Sequence, residues 1–336
     1  MDKHISNRIG VIGSGSWATA MIKMLTDNLT EKDIYWWVRK QEDIDYIQSY
    51  NHNPSYLTAV EIKIPFENIS SEVKFVFDRS DVVVLNTPAA YLKDALQGLT
   101  ADDFKDKIIV SAIKGIIPDE NQIIGEYLTS TYNVPLENIV VIGGPCHAEE
   151  VSQEKLSYLT FGCNTIENAE AVASFYKSRY INTIISDDIF GIEYGAVLKN
   201  IYALAGGICH GLGFGDNFQA VLVSNAIREM EYFVEAISPA SRDINASAYL
   251  GDLLVTAYSQ FSRNRTFGNM IGKGYSVKSA QLEMNMVAEG YYASNCIQGI
   301  IARYQLDMPI CHMVYQILYN NSPAIKEVNI LAQKLS

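Results

Sequence analysis

Between Arg8 and Leu25 the chain passes from a short apolar run through a glycine turn into helical spacing, and few folds begin this way. Arg8 to Ile12 reads as a buried strand. Gly13-Ser14-Gly15-Ser16-Trp17-Ala18 follows at once, and Ala20, Met21, Met24 and Leu25 then recur with helical periodicity. Strand, glycine turn and helix in that order make the first unit of a dinucleotide-binding fold. Gly13 permits the tight turn. Gly15 lets the backbone approach a pyrophosphate, which sits at the helix N-terminus. Ala18 occupies the third glycine position, which the looser fingerprint admits. The same pattern can be an ordinary strand–helix turn, so the rest of the chain must carry it further.

The first half keeps alternating. Ile34 to Val38 reads as the second strand and ends at Arg39-Lys40. An NAD-type fold places an acid there for the ribose 2′-hydroxyl. Here Arg39 could meet a 2′-phosphate, or the strand end is simply solvated. Asp81 to Asn86 is a β-branched run suited to a parallel sheet covered on both faces. Thr87 to Tyr91 is the loop at its carboxyl end, the edge at which open α/β sheets bind ligands. Tyr91 packs either beside a cofactor or into the core. Lys107 to Ala112 is a further strand, followed by Lys114-Gly115. Asn138 to Ile142 leads into a second glycine turn, Gly143 to Glu150, whose backbone N–H groups can face a ligand. Ser157–Gly162 and Tyr180–Ser186 complete the strands. This alternation predicts an α/β, doubly wound Rossmann domain over residues 1–188.

From residue 189 to 336 the texture becomes helical. Ala226–Ile237, Val287–Ala302 and Ile310–Leu318 are amphipathic, and Gly191 to Gly215 is apolar nearly all round, as interior helices are. Lys199 and Asn200 lie in the middle of that last stretch. A lysine there either snorkels to water along its stem or is buried and paired. A buried lysine with its pKa lowered can serve as a general base or acid. Asp252 opens the apolar segment DLLVTAY, with Thr256 one turn on. Taken alone it reads as a helix N-cap. Ser262 can cap the helix that follows, and Arg263 can bind phosphate bidentately at its start. Two arginines in such a loop can also be ordinary solvated charge.

Composition limits the partners. A net charge of −12 excludes a nucleic-acid role that depends on basic patches. It also means that an anionic ligand must be held by local cations, of which Lys114, Lys199, Arg263, Arg265 and Lys273 are the expected focus. The five cysteines show no C-x-x-C pair, and the five histidines have no metal spacing, so reduced thiols and no metal site are expected. The polar N-terminus does not read as a signal peptide, and no uncharged apolar run reaches the ~18 residues of a membrane span. A cytoplasmic location is expected.

Together these segments resemble the NAD(P)-dependent sn-glycerol-3-phosphate dehydrogenase family over nearly the whole chain. The resemblance rests on GSGSWA at 13–18, KG at 114–115, GPCHAEE at 144–150, GAVLKNIYALAGG at 195–207, GLGFGDN at 211–217, GDLLVT at 251–256, SRNR at 262–265 and VAEG at 287–290. It implies metal-free interconversion of glycerol 3-phosphate and dihydroxyacetone phosphate with NAD or NADP, in a cytosolic homodimer that feeds glycerolipid synthesis. It makes Lys199 the general base of the oxidation. Lys114 contacts the substrate and lies near the nicotinamide, and Asp252 positions Lys199 and the substrate hydroxyl. Gly144 and Cys146 approach the substrate, and Ala148 the cofactor. Ser262, Arg263 and Asn264 hold the phosphate, Arg263 also reaching the cofactor. Ser16, Trp17, Arg39, Val287 and Glu289 line the dinucleotide. The family often has Ser or Thr where Cys146 stands, and a thiol is a weaker donor.

Two other functions fit parts of the pattern. A hydroxyacid dehydrogenase with a helical second domain also uses a lysine and an asparagine, and its carboxylate substrate could take Arg263. A non-catalytic nicotinamide-binding sensor would not need Lys114, Lys199, Asp252 and Arg263 together.

Overall fold

The computed structural model of the protein describes residues 8–284 and 288–336. The described residues form two compact units, one made of those up to Ile113 with Ile124–Ile189, the other of Lys114–Ile123 with those from Phe190 onward. A division at residue 188 leaves 114–123 with the first half of the sequence. In the structure this short segment groups with the second unit, for a reason that lies in the candidate active site.

The first unit is built on one sheet. Its strands are β1 (Ile9–Ile12), β2 (Ile34–Trp37), β3 (Ile69–Ser70), β4 (Val82–Leu85), β5 (Ile108–Ser111), β8 (Ile139–Gly143), β9 (Ser157–Gly162) and β10 (Ile181–Ser186); β6 (Ile116–Ile117) and β7 (Gln122–Ile123) form a separate hairpin in the second unit. The order across the sheet is β3-β2-β1-β4-β5-β8-β9-β10. The first six strands in that order are parallel and reproduce the doubly wound arrangement. The remaining pair differs in direction: β9 runs antiparallel to β8, and β10 parallel to β9. The apolar runs read from the sequence are the central strands. Every residue of β1, β4 and β5 is buried, as strands covered on both faces must be.

Helices α1 (Ser16–Asn28), α2 (Gln41–Tyr50), α3 (Val73–Arg79), α4 (Leu92–Ala95), α5 (Ile124–Tyr132), α6 (Ala148–Ser152) and α7 (Ile166–Ser174) belong to this unit. Met21, Met24 and Leu25 of α1 join Val11, Trp36, Val84 and Val110 in one buried cluster. Burying side chains of this size contributes about 1.5–3 kcal/mol each. The Trp36 indole N–H donates to the carbonyl of Gly13 at 2.6 Å, which fastens the glycine turn to β2.

The second unit contains α8 (Ile189–Gly211), α9 (Asp216–Ile237), α10 (Asp252–Tyr258), α11 (Arg263–Gly272), α12 (Val277–Glu283), α13 (Glu289–Tyr304), α14 (Pro309–Leu318) and α15 (Ala324–Ala332). Every residue from Gly191 to Cys209 is buried, which explains why this helix has no polar face. Among the described residues, the elements from 190 to 336 are helices as expected, and the β6–β7 hairpin is an addition to them. Glu229 of α9 accepts the backbone N–H groups of Ile310 and Cys311 at 2.9 and 3.0 Å, so a buried carboxylate caps α14.

Helix α8 crosses α11 at backbone contact. A Cβ at Gly207 would lie 2.2 Å from the Arg265 carbonyl, and one at Gly211 2.4 Å from that of Asn269. The partner helix answers in kind: Gly268 would meet the Leu204 carbonyl at 2.2 Å and Gly272 that of Ile208 at 2.3 Å. Two glycines four residues apart on each helix thus set the depth of the crossing. Gly268→Ala forces backbone apart and should cost about 1–3 kcal/mol, as overpacking does. Gly299→Ala, in α13 where no atom lies within 4 Å, should stabilise by about 0.5–1 kcal/mol. Melting temperatures should therefore move in opposite directions, and equal values for the two variants would refute the crossing.

Candidate active site

In the second unit the chemistry gathers around Asp252. This residue begins α10, directly after a π-helical turn at Ser247–Gly251, a distortion that often re-aims a functional side chain. Its carboxylate is not an N-cap. Oδ1 accepts from the Lys199 ammonium, and Oδ2 from that of Lys114 at 3.1 Å. The side chains of Lys199 and Asp252 are 5% and 2% exposed, so Lys199 does not snorkel. Lys114 is less enclosed, at 19%. Burial pushes the Asp252 carboxyl up, but Lys114 and Lys199 outweigh it and hold the group below its ordinary value. The Thr256 hydroxyl donates to the Asp252 carbonyl at 2.6 Å and steadies this first turn.

A chain of amides fixes the two lysines. Asn200, beside Lys199 on α8, donates through Nδ2 to the Lys114 carbonyl at 2.7 Å. This bond and the Lys114–Asp252 pair are what tie 114–123 to the helical unit. The Asn200 Oδ1 accepts from Asn264 Nδ2 at 2.9 Å, and the Asn264 Oδ1 accepts from the Gly290 N–H at 2.9 Å. A Cβ on Gly290 would sit 2.5 Å from the Asn200 carbonyl, so only glycine fits. The sequence put Asn264 beside a phosphate. Both its heteroatoms are engaged within the protein, and its Nδ2 keeps a second hydrogen. Asn200 was singled out only as the neighbour of Lys199; its role as the bridge has no signal in a single sequence.

Ser262 is the N-cap of α11 and accepts from the Arg265 N–H at 3.3 Å, as anticipated. Arg263 is the first helical residue and is exposed. Glu289 begins α13 and is half-buried. Val287, expected to line the dinucleotide, lies outside the described residues.

The first unit holds the other set, along the carboxyl edge of its sheet. Gly13 follows β1 with φ +133°. Gly15 caps α1 in extended backbone, and a Cβ there would meet nothing within 4 Å. Ser16 and Trp17 form the first turn of α1, and the buried Trp17 Nε1 has no hydrogen-bond acceptor in the structure. Gly144 follows β8 with φ +103°, and a Cβ there would clash with the Tyr158 carbonyl at 2.5 Å. Cys146 is buried and its thiol donates back to the Gly144 carbonyl at 3.2 Å. Ala148 starts α6 and is buried. Arg39 is exposed just past β2. Tyr91 is 43% exposed, which rules out a core role for it. Two residues at this edge were not picked out as ligands, Asn86 and Thr87. Their buried side-chain polar atoms have no partner.

This edge fits a dinucleotide. Gly15 leaves room over the start of α1, and the N–H groups and dipole of that helix favour pyrophosphate. Gly13, Gly15, Ser16 and Trp17 would hold it, with Arg39 beyond β2. A doubly wound sheet with this edge, together with a helical unit holding two lysines on one buried carboxylate, defines a nicotinamide-dependent dehydrogenase. Sequence models of the NAD-dependent glycerol-3-phosphate dehydrogenase N-terminus and C-terminus match residues 8–169 and 188–329. The chain belongs to that family.

A relative from Syntrophomonas wolfei, named glycerol-3-phosphate dehydrogenase (NAD(P)+), is 31% identical over 331 residues, 97% of this chain and 95% of its own. One of the same name from Bacillus subtilis is 31% identical, covering 93% and 90%. The crystal structure of a glycerol-3-phosphate dehydrogenase from Coxiella burnetii has the same fold, with TM-score 0.86 at 24% identity over 96% and 98% of the two chains. The fold extends with less fidelity to a 2-dehydropantoate 2-reductase from Geobacter metallireducens, with TM-score 0.59 at 14% identity over 94% of this chain and 100% of that one. No described helix is long and apolar enough to cross a membrane.

Asp252→Asn keeps the shape but leaves two lysines sharing a neutral amide. Losing one partner of a buried ion cluster costs about 3–5 kcal/mol. Because the folded carboxyl is held below its unfolded value, its contribution is present above that value, 3.8, and fades as pH falls through the lowered one. The gap in melting temperature between wild type and variant should therefore be constant from neutral pH down to about 4 and close below it. A gap that widens in acid would contradict the assignment.

Proposed function

We propose that this chain interconverts sn-glycerol 3-phosphate and dihydroxyacetone phosphate with NAD or NADP, and that Lys199 carries the proton. The observation that carries the reading is the pair of lysines on the single buried carboxylate of Asp252. Bound at the glycine edge, the nicotinamide supplies the hydride acceptor or donor. In the oxidation, a neutral Lys199 takes the hydroxyl proton while the carbinol C–H leaves as hydride and the carbonyl forms. In the reduction, the Lys199 ammonium returns that proton to the developing alkoxide. The Asp252 carboxylate holds the Lys199 nitrogen in place by hydrogen bond. Lys114, held by the same carboxylate and by Asn200, supplies a second cation toward the substrate oxygen.

The phosphate falls to the start of α11. Arg263 offers a planar fork, the first-turn amides add the helix dipole, and the second Asn264 hydrogen completes the set. Ser262 shapes that turn. Gly144 and Cys146 contribute backbone toward the substrate, since the thiol is committed to the Gly144 carbonyl. Ala148, Glu289 and Tyr91 serve the cofactor side. With Arg39 after β2 and no acid before Glu42, the usual carboxylate that repels a 2′-phosphate is missing, and the chain accepts NADPH as well as NADH. A cytosolic homodimer supplying glycerol 3-phosphate to phospholipid synthesis is the setting that goes with this activity; light scattering at working concentration tests the dimer.

The direct experiment follows loss of NADH or NADPH absorbance on adding dihydroxyacetone phosphate. No loss with either cofactor would reject the function, and loss with NADH alone would reject the reading of Arg39. Lys199→Met should retain cofactor binding and lose turnover by ~10²-fold or more, the usual scale for general acid–base catalysis; near-normal turnover would remove Lys199 from the mechanism. Arg263→Ala should weaken dihydroxyacetone phosphate by ~10-fold or more, as expected for a charge-assisted hydrogen bond, and leave unphosphorylated dihydroxyacetone little changed. An equal loss for both substrates would place Arg263 outside the phosphate site.

A further inference from the structure

At the carboxyl end of β4, Asn86 is the first residue past the strand and Thr87 the second. Both ends of the Asn86 amide, Oδ1 and Nδ2, are buried without a hydrogen-bond partner, and so is the Thr87 hydroxyl, on a residue only 8% exposed. Leaving such groups unpaired forfeits their hydration without replacing it. A serine or threonine can often turn back on its own backbone, but an amide with donor and acceptor both idle needs a ligand that offers the complementary pair. The backbone of Asn86 is anchored, its N–H donating to the Ile12 carbonyl at 2.8 Å. A Cβ built on Gly13 would come within 2.8 Å of the Asn86 carbonyl and 3.2 Å of its Cβ. The Asn86 backbone and Cβ therefore stand directly against the fingerprint turn.

The sheet order decides which half of a dinucleotide this is. β1 is flanked by β2 on one side and β4 on the other, and the order runs outward from there in both directions. In this fold the end of β2 serves the adenosine ribose and the turn after β1 serves the pyrophosphate. The end of β4, across β1 from β2, is left to the nicotinamide half. A ribose diol and a carboxamide each present a donor and an acceptor, which is what the Asn86 amide lacks.

We infer that Asn86 and Thr87 bind the nicotinamide ribose–carboxamide half of the cofactor, Asn86 through both ends of its amide. The inference rests on the dinucleotide reading of this edge, and the test separates the two. Equilibrium binding of NADH and of ADP, which lacks the nicotinamide half, is measured by titration calorimetry for wild type, Asn86→Ala and Thr87→Val. Asn86→Ala should weaken NADH by ~10-fold, the worth of one to two net hydrogen bonds, and leave ADP within twofold. Thr87→Val, which keeps the shape, should weaken NADH by ~3-fold and spare ADP. Unchanged NADH binding in both variants would overturn the inference, as would equal weakening of NADH and ADP. Retained ADP binding also shows that a variant is folded. Failure of wild type to bind either ligand would instead overturn the dinucleotide reading itself, and this inference with it.

Discussion

Everything chemical in the helical unit depends on one buried carboxylate shared by two ammonium groups. Lys199 sits in a helix with no polar face, and an isolated charge there would cost several kcal/mol in lost hydration. Asp252 removes most of that cost and in return is held ionised. With all three groups charged the cluster carries a net charge of +1. That remainder matters in a chain of net charge −12. A phosphorylated substrate approaches against the overall field, so local positive charge in an enclosed, low-dielectric setting is the means of attracting it. The same cluster cannot be neutralised by a second carboxylate without losing its use.

Holding three charges at hydrogen-bond distance requires a rigid frame, and the frame is made by close backbone contact. Glycines at 207, 211, 268 and 272 bring α8 and α11 together so tightly that a methyl group on either side would meet a carbonyl oxygen. That contact places the start of α11 beside Asn200, where the Asn264 amide can close its bonds to Asn200 and Gly290. The amide chain reaches Lys114 through its carbonyl, so the segment 114–123 is fixed by backbone and side chain at once. Stability and catalysis therefore share parts. A loosened crossing would blur the lysine positions before it unfolded the helices, because site geometry fails on displacements far smaller than those that break a core.

The fold was readable where local chemistry dictates it. The β-branched run at 81–86 is a central strand, the turn at 13–18 joins β1 to α1, and Ser262 caps α11, each because the signal is contained in a few adjacent residues. What the sequence hid is long-range. β9 and β10 read as strands like those before them, and no local property tells an antiparallel addition from a parallel one. Residues 114–123 read as a continuation of the first half because their allegiance is set by bonds to Asn200 and Asp252, 86 and 138 positions away. Asp252 looked like a helix cap because a carboxylate at a helix start usually is one. Its true partners come from two other segments. Tyr91 admitted a core role in the sequence, which its exposure excludes. The bond from the Cys146 thiol to the Gly144 carbonyl likewise has no signal in the adjacent residues.

On the proposed roles, the residues past β2 and past β4, the two strands that flank β1, divide the labour of the site. After β2 stands Arg39, exposed, on a flexible stem and free of fixed geometry. It can favour a 2′-phosphate by charge while tolerating a bare ribose. After β4 stand Asn86 and Thr87, enclosed, neutral and held by the backbone beside Gly13. Neutral groups in a dry setting discriminate by hydrogen-bond pattern, since any mismatch leaves a buried group unpaired. On those proposed roles, charge past β2 gives tolerance where the two cofactors differ, and fixed dipoles past β4 give precision where they are alike. The common part is also the part that reacts, so the stricter geometry lies on the nicotinamide side.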